Sequence, residues 1–215
     1  MTSLSGCNVL VIGSSGGLGA QFVTQLASAG ASVISATSHE VNLESSASIQ
    51  GFCNSLLAPG TALDGIILAA GQVAFGAIAE TPAAVTEKLM RVNFLGQAEL
   101  VGALMPVLTQ SENSPFVVSI SGVISESPMA GLAAYSASKT AMHGYATAAA
   151  RELRRAGIRW IDARPGHTET GLAGRAIFGQ SPAFGVGLQP AAVVQRIIAA
   201  IENDEKDLPS TAFTS

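Results

Sequence analysis

Charged residues are scarce in this chain of 215 residues: Asp, Glu, Lys and Arg together make up 12% of it, and the net charge is -4. The cations are scattered except for Arg151, Arg154, Arg155 and Arg159, a grouping typical of a solvated helix face rather than of a basic stripe that binds nucleic acid. We therefore expect no nucleic-acid partner. Because 48% of the residues are hydrophobic, the composition predicts a single domain over residues 1–215 with a large core.

Cysteines and long apolar runs are also missing. Cys7 and Cys53 are the only cysteines; they lack metal-ligand spacing and make no disulfide framework, so we predict no metal site and a reducing, cytoplasmic location. Residues 1–5 are too few and too polar for the apolar part of a signal peptide, and no uninterrupted apolar run reaches membrane-spanning length. We expect a soluble protein without membrane contact, whose low surface charge favours a homodimer or homotetramer.

Short β-branched runs alternate with longer helical patterns along the chain. The predicted strands are 7–12, 32–36, 65–69, 115–121 and 159–164, and the predicted helices are 18–29, 47–57, 83–108, 134–156 and 191–201. Such alternation predicts an α/β fold, with one doubly wound parallel sheet and helices on both faces. Residues 171–189, rich in glycine, are predicted to form a mobile flap, and residues 208–215 to add a short strand or to fray.

A glycine-rich turn follows the first predicted strand. Residues 13–19 read Gly-Ser-Ser-Gly-Gly-Leu-Gly, and helical periodicity begins at Leu18. The glycines permit a tight turn, a close approach of a pyrophosphate to the backbone and close packing of helix on strand, while free N–H groups at the helix start attract anions. A purely structural turn is the alternative, but the preceding apolar strand favours dinucleotide binding. The predicted binding residues in this turn are Gly13, Ser15, Gly17, Leu18 and Gly19.

The end of the second strand is expected to meet the adenosine ribose. Thr37 and Ser38 stand there, without an Asp or Glu for the ribose 2′-hydroxyl and without an Arg for a 2′-phosphate. Their hydroxyls and His39 favour NADP slightly, and Glu40 leaves NAD open.

Tyr135 and Lys139 stand four residues apart, at the start of an Ala-rich run that predicts a buried helix. On a helix the two side chains share a face. A neighbouring ammonium favours phenolate, so we expect Lys139 to draw the pKa of Tyr135 from ~10 toward neutrality and make the pair a proton-transfer device. The alternative is an ordinary helical pair in which Tyr packs and Lys is solvated; the upstream glycine turn weighs against it.

These residues resemble those of the short-chain dehydrogenase/reductase family over nearly the whole chain. The resemblance implies a Rossmann-like fold and an NAD(P)-dependent oxidoreductase that moves a hydride between nicotinamide and a carbonyl or secondary alcohol. It implies that Tyr135 gives or takes the proton, that Lys139 binds the nicotinamide ribose, and that Asn93 links Lys139 to solvent. An interior helical Asn bonded to its own backbone is the alternative for Asn93. Further family-like positions that would contact the cofactor are Ala70 and Gly71 in Leu68-Ala69-Ala70-Gly71, and Pro165, Gly166, Thr168 and Thr170 in the segment 164–170.

One departure from the family concerns its catalytic Ser, thirteen positions before the Tyr, where this chain has Gly122. Ser121 matches the first Ser of the family's Ser-Ser pair, and Ser125 is the other candidate. If neither hydroxyl reaches the substrate oxygen, the loss of such a donor costs about 10²–10³ in rate. The alternative function is therefore a catalytically impaired nucleotide-binding or scaffolding protein that keeps the fold.

Another departure is the short connection after the second strand. Only residues 38–41 separate that strand from Val41-Asn42-Leu43, where the family inserts a helix, so the helix is either deleted or displaced to residues 47–57. The resemblance places Asn42 where an Asp contacts adenine, and a plain turn residue is the alternative.

Apolar side chains dominate the predicted flap. Leu172, Ile177, Phe178 and Phe184 accompany Arg175, the one evident anion partner. This mixture suits a largely apolar substrate, although the same residues suit burial against a second subunit.

Overall fold

The computed structural model describes residues 2–58 and 60–213. Five parallel strands form one sheet in the order β2-β1-β3-β4-β5. The strands are β1 (Asn8–Ile12), β2 (Ser32–Ala36), β3 (Gly65–Leu68), β4 (Phe116–Ile120) and β5 (Arg159–Ala163). The α-helices among these residues are α1 (Gly17–Ser28), α2 (Ser46–Leu56), α3 (Ala83–Met90), α4 (Gly96–Leu108), α5 (Ala133–Leu153) and α6 (Pro190–Glu202).

The doubly wound α/β fold predicted from the sequence is confirmed. Side chains of β1 alternate between two cores: Val9 and Val11 pack with residues of α1 and α6, whereas Leu10 and Ile12 pack with residues of α4 and α5. Both faces of the sheet are therefore covered, which is why residues 9–12, 65–68 and 116–118 in its three central strands are apolar and buried. Each predicted strand and helix is present within a few residues of its expected bounds.

The long helix predicted over residues 83–108 has a π-helical centre. Arg91–Leu95 joins α3 to α4 with wider turns, and the Gln97 side-chain amide donates to the Val92 carbonyl inside it at 3.0 Å. The same Nε2 also donates to the Ala70 carbonyl at 3.0 Å, which ties the segment to the end of β3. Such segments are rare and occur frequently at functional sites.

The connection after β2 contains no helix before Val41 among the described residues. The chain passes through turns from Thr37 to α2, which lies within one residue of the position predicted for this helix. Helix α2 leads to β3, on the other side of β1 from β2. Strand β2 is consequently the edge of the sheet.

The carboxyl-terminal segment adds little to the sheet. Leu208 forms one isolated parallel bridge with Ala163, and Ser210–Ala212 forms a 3-10 turn. Residues 214 and 215 of the predicted strand lie outside the described residues. None of the helices described is long and apolar enough to cross a membrane.

Candidate active site

A cavity of about 640 Å³ lies at the carboxyl ends of the strands. Its position is the point where β1 pairs with β2 on one side and with β3 on the other, which is where ligands bind in open α/β sheets. The structure brings together nearly all of the predicted site residues around it; only Gly19 and Asn93 do not line it. The lining residues from that prediction are Gly13, Ser15, Gly17, Leu18, Thr37, Ser38, Asn42, Ala70, Gly71, Ser121, Tyr135, Lys139, Pro165, Gly166, Thr168 and Thr170.

The glycine turn presents the start of α1 to the cavity. A Cβ at Gly19 would lie 2.0 Å from the Gly13 carbonyl oxygen, so only glycine allows the helix to pack this closely on the turn. Helix α1 begins at Gly17 without a side-chain cap and without an acidic residue in its first turn. Its first N–H groups and its dipole therefore favour an anion, and this part of the cavity fits the diphosphate of a dinucleotide.

The end of β2 carries the carboxylate of Glu40, the residue that left NAD open as the cofactor in the sequence analysis. The backbone N–H and the hydroxyl of Thr37 donate to Glu40 Oε2 at 2.7 and 2.6 Å, and these hydrogen bonds lower the pKa of Glu40. The Thr37 hydroxyl proton is thus already engaged. Asn42 Oδ1 accepts from the backbone N–H of Glu44 at 2.9 Å, so Asn42 is a turn residue as well as a lining residue.

Lys139 and Tyr135 share the cavity-facing side of α5. Lys139 is 7% exposed, and its ammonium donates to the Ile120 carbonyl at 2.6 Å. Burial lowers the pKa of Lys139 to about 8, although the charge of Asp162 opposes that shift. Burial raises the pKa of Tyr135 to about 12. The lowered phenol pKa expected from the sequence is therefore wrong: Lys139 Nζ lies over the ring face, 5.9 Å from its centroid, and desolvation dominates.

Asn93 lies behind the cavity wall, 1% exposed, in the π-helical segment. Its Oδ1 accepts from the backbone N–H of Gln72 at 2.8 Å, and its Nδ2 donates to the Gln72 carbonyl and to Ser138 Oγ, each at 2.9 Å. A Cβ on Gly71 would lie 3.6 Å from Asn93 Oδ1 and 3.7 Å from Lys139 Nζ. The Asn93 amide and the Lys139 ammonium thus flank one space, and Asn93 does not bond its own helix there. Both amide protons are used, so a water could be held only through Oδ1.

The two candidate serines differ in their relation to the cavity. Ser121 lines it, and its hydroxyl donates to Asp162 Oδ2 at 2.6 Å. Ser125 is turned away, with its Oγ 2.8 Å from the Gly122 carbonyl and 3.2 Å from Ser121 Oγ. Gly122 has a φ of 74°, a backbone conformation that other residues rarely adopt. Only Ser121 therefore reaches the cavity, and its proton is directed away from it.

The sequence did not single out Asp162, a buried carboxylate that contacts several side chains beside Ser121. Asp162 is 5% exposed and also accepts from the Ser119 hydroxyl at 2.6 Å. His143 Nδ1 and Arg164 Nη1 lie 2.8 and 3.4 Å from its Oδ2. The sequence signal that could have identified it is an acidic residue within a strand predicted to be buried, because a buried carboxylate needs hydrogen-bonding or oppositely charged partners.

The far end of the cavity is apolar. Val73, Phe75, Ile124 and Leu132 form a buried cluster against which Tyr135 and flap residues, including Phe184, pack. The chemistry of this end suits an apolar ligand group beside the phenol.

The flap is fastened over that end. The N–H of Phe75 donates to the Phe178 carbonyl, and the N–H of Ile177 donates to the Val73 carbonyl, both at 2.9 Å. His167 lines the cavity, with its ring centroid 4.7 Å from that of Phe184. The flap thereby forms part of the cavity wall.

The sequence matches the family model of the short chain dehydrogenases over residues 35–177, about two thirds of the chain. The chain belongs to the short-chain dehydrogenase family. The glycine turn lies before the matched residues, so the family assignment and the geometry of that turn are separate observations. The family assignment confirms the resemblance stated from the sequence.

Known relatives of this short-chain dehydrogenase include a dehydrogenase/reductase SDR family protein 7-like of Drosophila melanogaster, 30% identical over 168 residues. The match covers 75% of this chain and 51% of that protein, and the chain spans about half the length of the curated relatives it matches.

Two solved structures show the same fold. A short chain dehydrogenase from Burkholderia cenocepacia in complex with NADP has a TM-score of 0.83 at 19% identity and covers 96% of this chain and 89% of its own. A 3-ketoacyl-(acyl-carrier-protein) reductase from Brucella melitensis complexed with NADH has a TM-score of 0.84 at 16% identity, covering 98% and 99%.

Proposed function

We propose that this protein is an NAD(P)-dependent oxidoreductase that transfers hydride between nicotinamide and a carbonyl or secondary alcohol. The observation that carries the proposal is that one cavity holds both the uncapped start of α1 and the Tyr135–Lys139 pair. Family membership and solved relatives complexed with NADP or NADH support a nicotinamide cofactor.

The proposed roles follow from the geometry of each side chain. When bound, the dinucleotide supplies or accepts the hydride. Tyr135, held in its neutral form by the burial that raises its pKa, donates its proton to the carbonyl oxygen in reduction. In oxidation it must first lose that proton, and the phenolate then takes the alcohol proton. Lys139 has two further ammonium protons besides the one donated to Ile120, and we assign them to the nicotinamide ribose. Ser121, whose own proton is held by Asp162, offers a lone pair rather than a proton.

The test is spectrophotometric. The protein is mixed with NADH or NADPH and a panel of apolar ketones and aldehydes, and loss of nicotinamide absorbance is followed. We expect turnover with apolar carbonyls, because Val73, Phe75, Ile124 and Leu132 form a buried apolar cluster beside Tyr135. Dinucleotide binding without turnover on a broad panel would instead support the impaired or scaffolding protein, which Gly122 at the family's Ser position favours.

Glu40 bears on the choice between NAD and NADP. The sequence favours NADP slightly, whereas a carboxylate held at the end of β2 repels a 2′-phosphate and can accept from a 2′-hydroxyl. We predict that Glu40→Gln, which keeps an acceptor for Thr37, lowers the Kd for NADPH relative to that for NADH by about three- to tenfold. Calorimetric titration with both nucleotides measures the ratio. Glu80→Gln, an exposed acid outside the cavity, is the control, and an unchanged ratio in Glu40→Gln contradicts the prediction.

Lys139 makes cofactor binding dependent on pH. Its pKa is about 8, so the ammonium is present below that pH and is lost as the pH rises through it. The ammonium attracts the anionic dinucleotide and donates to its ribose, so we expect affinity for NADH to be constant below about pH 7 and to fall about tenfold by about pH 10. Fluorescence titration across this range measures it. Lys139→Met should bind weakly with no such transition, and a flat profile in the wild type would refute the assignment.

Three further properties stay predictions. They are a single domain over residues 1–215, a cytoplasmic location and a homodimer or homotetramer. The partly exposed Met129, Leu95 and Tyr145 support self-association, and light scattering measures the oligomeric state.

A further inference from the structure

Arg175 lies where the flap meets the glycine turn. It ends the 3-10 turn Ala173–Arg175, lines the cavity, and its Nη2 donates weakly to the Thr170 carbonyl at 3.4 Å. Thr170 in turn packs on the start of α1: a Cβ on Gly17 would lie 2.7 Å from Thr170 Cα and 2.9 Å from its carbonyl oxygen. The guanidinium and the first N–H groups of α1 therefore approach the same part of the cavity from two sides.

Few cationic side chains line the cavity, and Arg175 is the one suited to a diphosphate at the start of α1. Apart from His167, the cationic side chains among its described lining residues are Lys139 and Arg175. Lys139 is buried on α5 and donates to Ile120. Arg175 is exposed and forms no ion pair within residues 2–58 and 60–213. An arginine without a carboxylate partner beside an uncapped helix start is suited to a phosphate oxygen.

We propose that Arg175 is a diphosphate-binding residue that couples the flap to the bound dinucleotide. This inference rests on the proposed function, because it takes the ligand at the start of α1 to be a dinucleotide. The guanidinium donates to the diphosphate oxygens from the flap side while the N–H groups of α1 donate from the turn. An anionic substrate is the competing ligand for Arg175, but the substrate end of the cavity is formed by apolar side chains.

The test compares Arg175→Gln with Arg175→Lys and with Arg151→Gln. Arg151 is exposed near the end of α5 and does not line the cavity, so its replacement removes the same charge elsewhere. Dissociation constants for NADH, ADP and adenosine are measured by calorimetry at low and high salt. For Arg175→Gln we expect Kd to rise about tenfold for NADH and ADP and to stay unchanged for adenosine, with a weaker salt dependence. Arg175→Lys should retain part of the affinity, and Arg151→Gln should match the wild type.

The outcomes separate this inference from the proposed function. Equal NADH and ADP affinities in Arg175→Gln and the wild type overturn the diphosphate role while leaving dinucleotide binding intact. A loss confined to KM for anionic carbonyls, with NADH binding unchanged, overturns it in favour of the substrate. A wild type that binds none of the nucleotides overturns both this inference and the proposed function. Circular dichroism of each variant establishes that the fold is retained.

Discussion

Tyr135→Phe is expected to reduce hydride transfer by about 10³-fold or more while leaving the Kd for NADH unchanged. Of the three candidate hydroxyl groups, only the phenol of Tyr135 is free to direct its proton into the cavity, since Ser121 directs its proton to Asp162 and Ser125 is turned away. Removing a positioned general acid typically costs 10²–10⁴ in rate, and neither serine supplies a second hydroxyl proton to limit the loss. Stopped-flow absorbance with saturating cofactor measures the step.

Tyr145→Phe is the matched control, because Tyr145 is the only other tyrosine and lies on the same helix. Its ring packs edge-on to Phe94 and Trp160, with centroids 5.7 and 5.6 Å away, and Phe preserves that packing. We expect its turnover to stay close to that of the wild type. Comparable turnover in Tyr135→Phe and the wild type would remove Tyr135 from the chemistry, and a loss of NADH binding would reassign it to cofactor binding.

Asp162→Ala is expected to lower the free energy of unfolding by about 3–5 kcal/mol, the usual cost of leaving buried charged and polar partners unpaired. The substitution leaves the hydroxyl protons of Ser119 and Ser121 without their acceptor and removes one negative charge from beside the buried Arg164. Urea denaturation followed by Trp160 fluorescence measures it. Glu44→Ala, which breaks the exposed pair with Lys88, should cost at most about 1 kcal/mol.

Asp162→Asn keeps the volume and supplies a folded variant if the alanine protein does not fold. Because the charge of Asp162 raises the pKa of Lys139, its loss should move the NADH-binding transition to lower pH. An unfolding midpoint like that of the wild type in Asp162→Ala, together with an unmoved transition in Asp162→Asn, would show that the carboxylate neither stabilises this wall nor acts on Lys139.

Local patterns in the sequence predict much of this molecule. The three central strands are mostly apolar and glycines recur where a turn must be tight, so the fold and most cavity-lining positions follow from residue type and spacing. What escaped prediction depends on neighbours distant in sequence. The partners of Asp162 come from β4, from the residue that follows it, from α5 and from Arg164 just after β5. The π-helical turns around Asn93 are stabilised through Gln97.

The pKa of Tyr135 illustrates the same limit. Its spacing from Lys139 places both on one helix face, but the distance from the ammonium to the hydroxyl depends on where Lys139 finds an acceptor. That acceptor is the Ile120 carbonyl at the end of β4. Likewise, Glu40 lies three residues after Thr37, and only the fold of the turn brings its carboxylate to the Thr37 donors.

Two backbone hydrogen bonds set how often the flap opens. They join Phe75 to Phe178 and Val73 to Ile177. Lifting the flap away from the apolar end must break both of them. At about 1 kcal/mol each, the open form is a minor species of a few per cent that exchanges with the closed form. For any reactant that enters beneath the flap, the interval between turnovers includes the time needed for the flap to open.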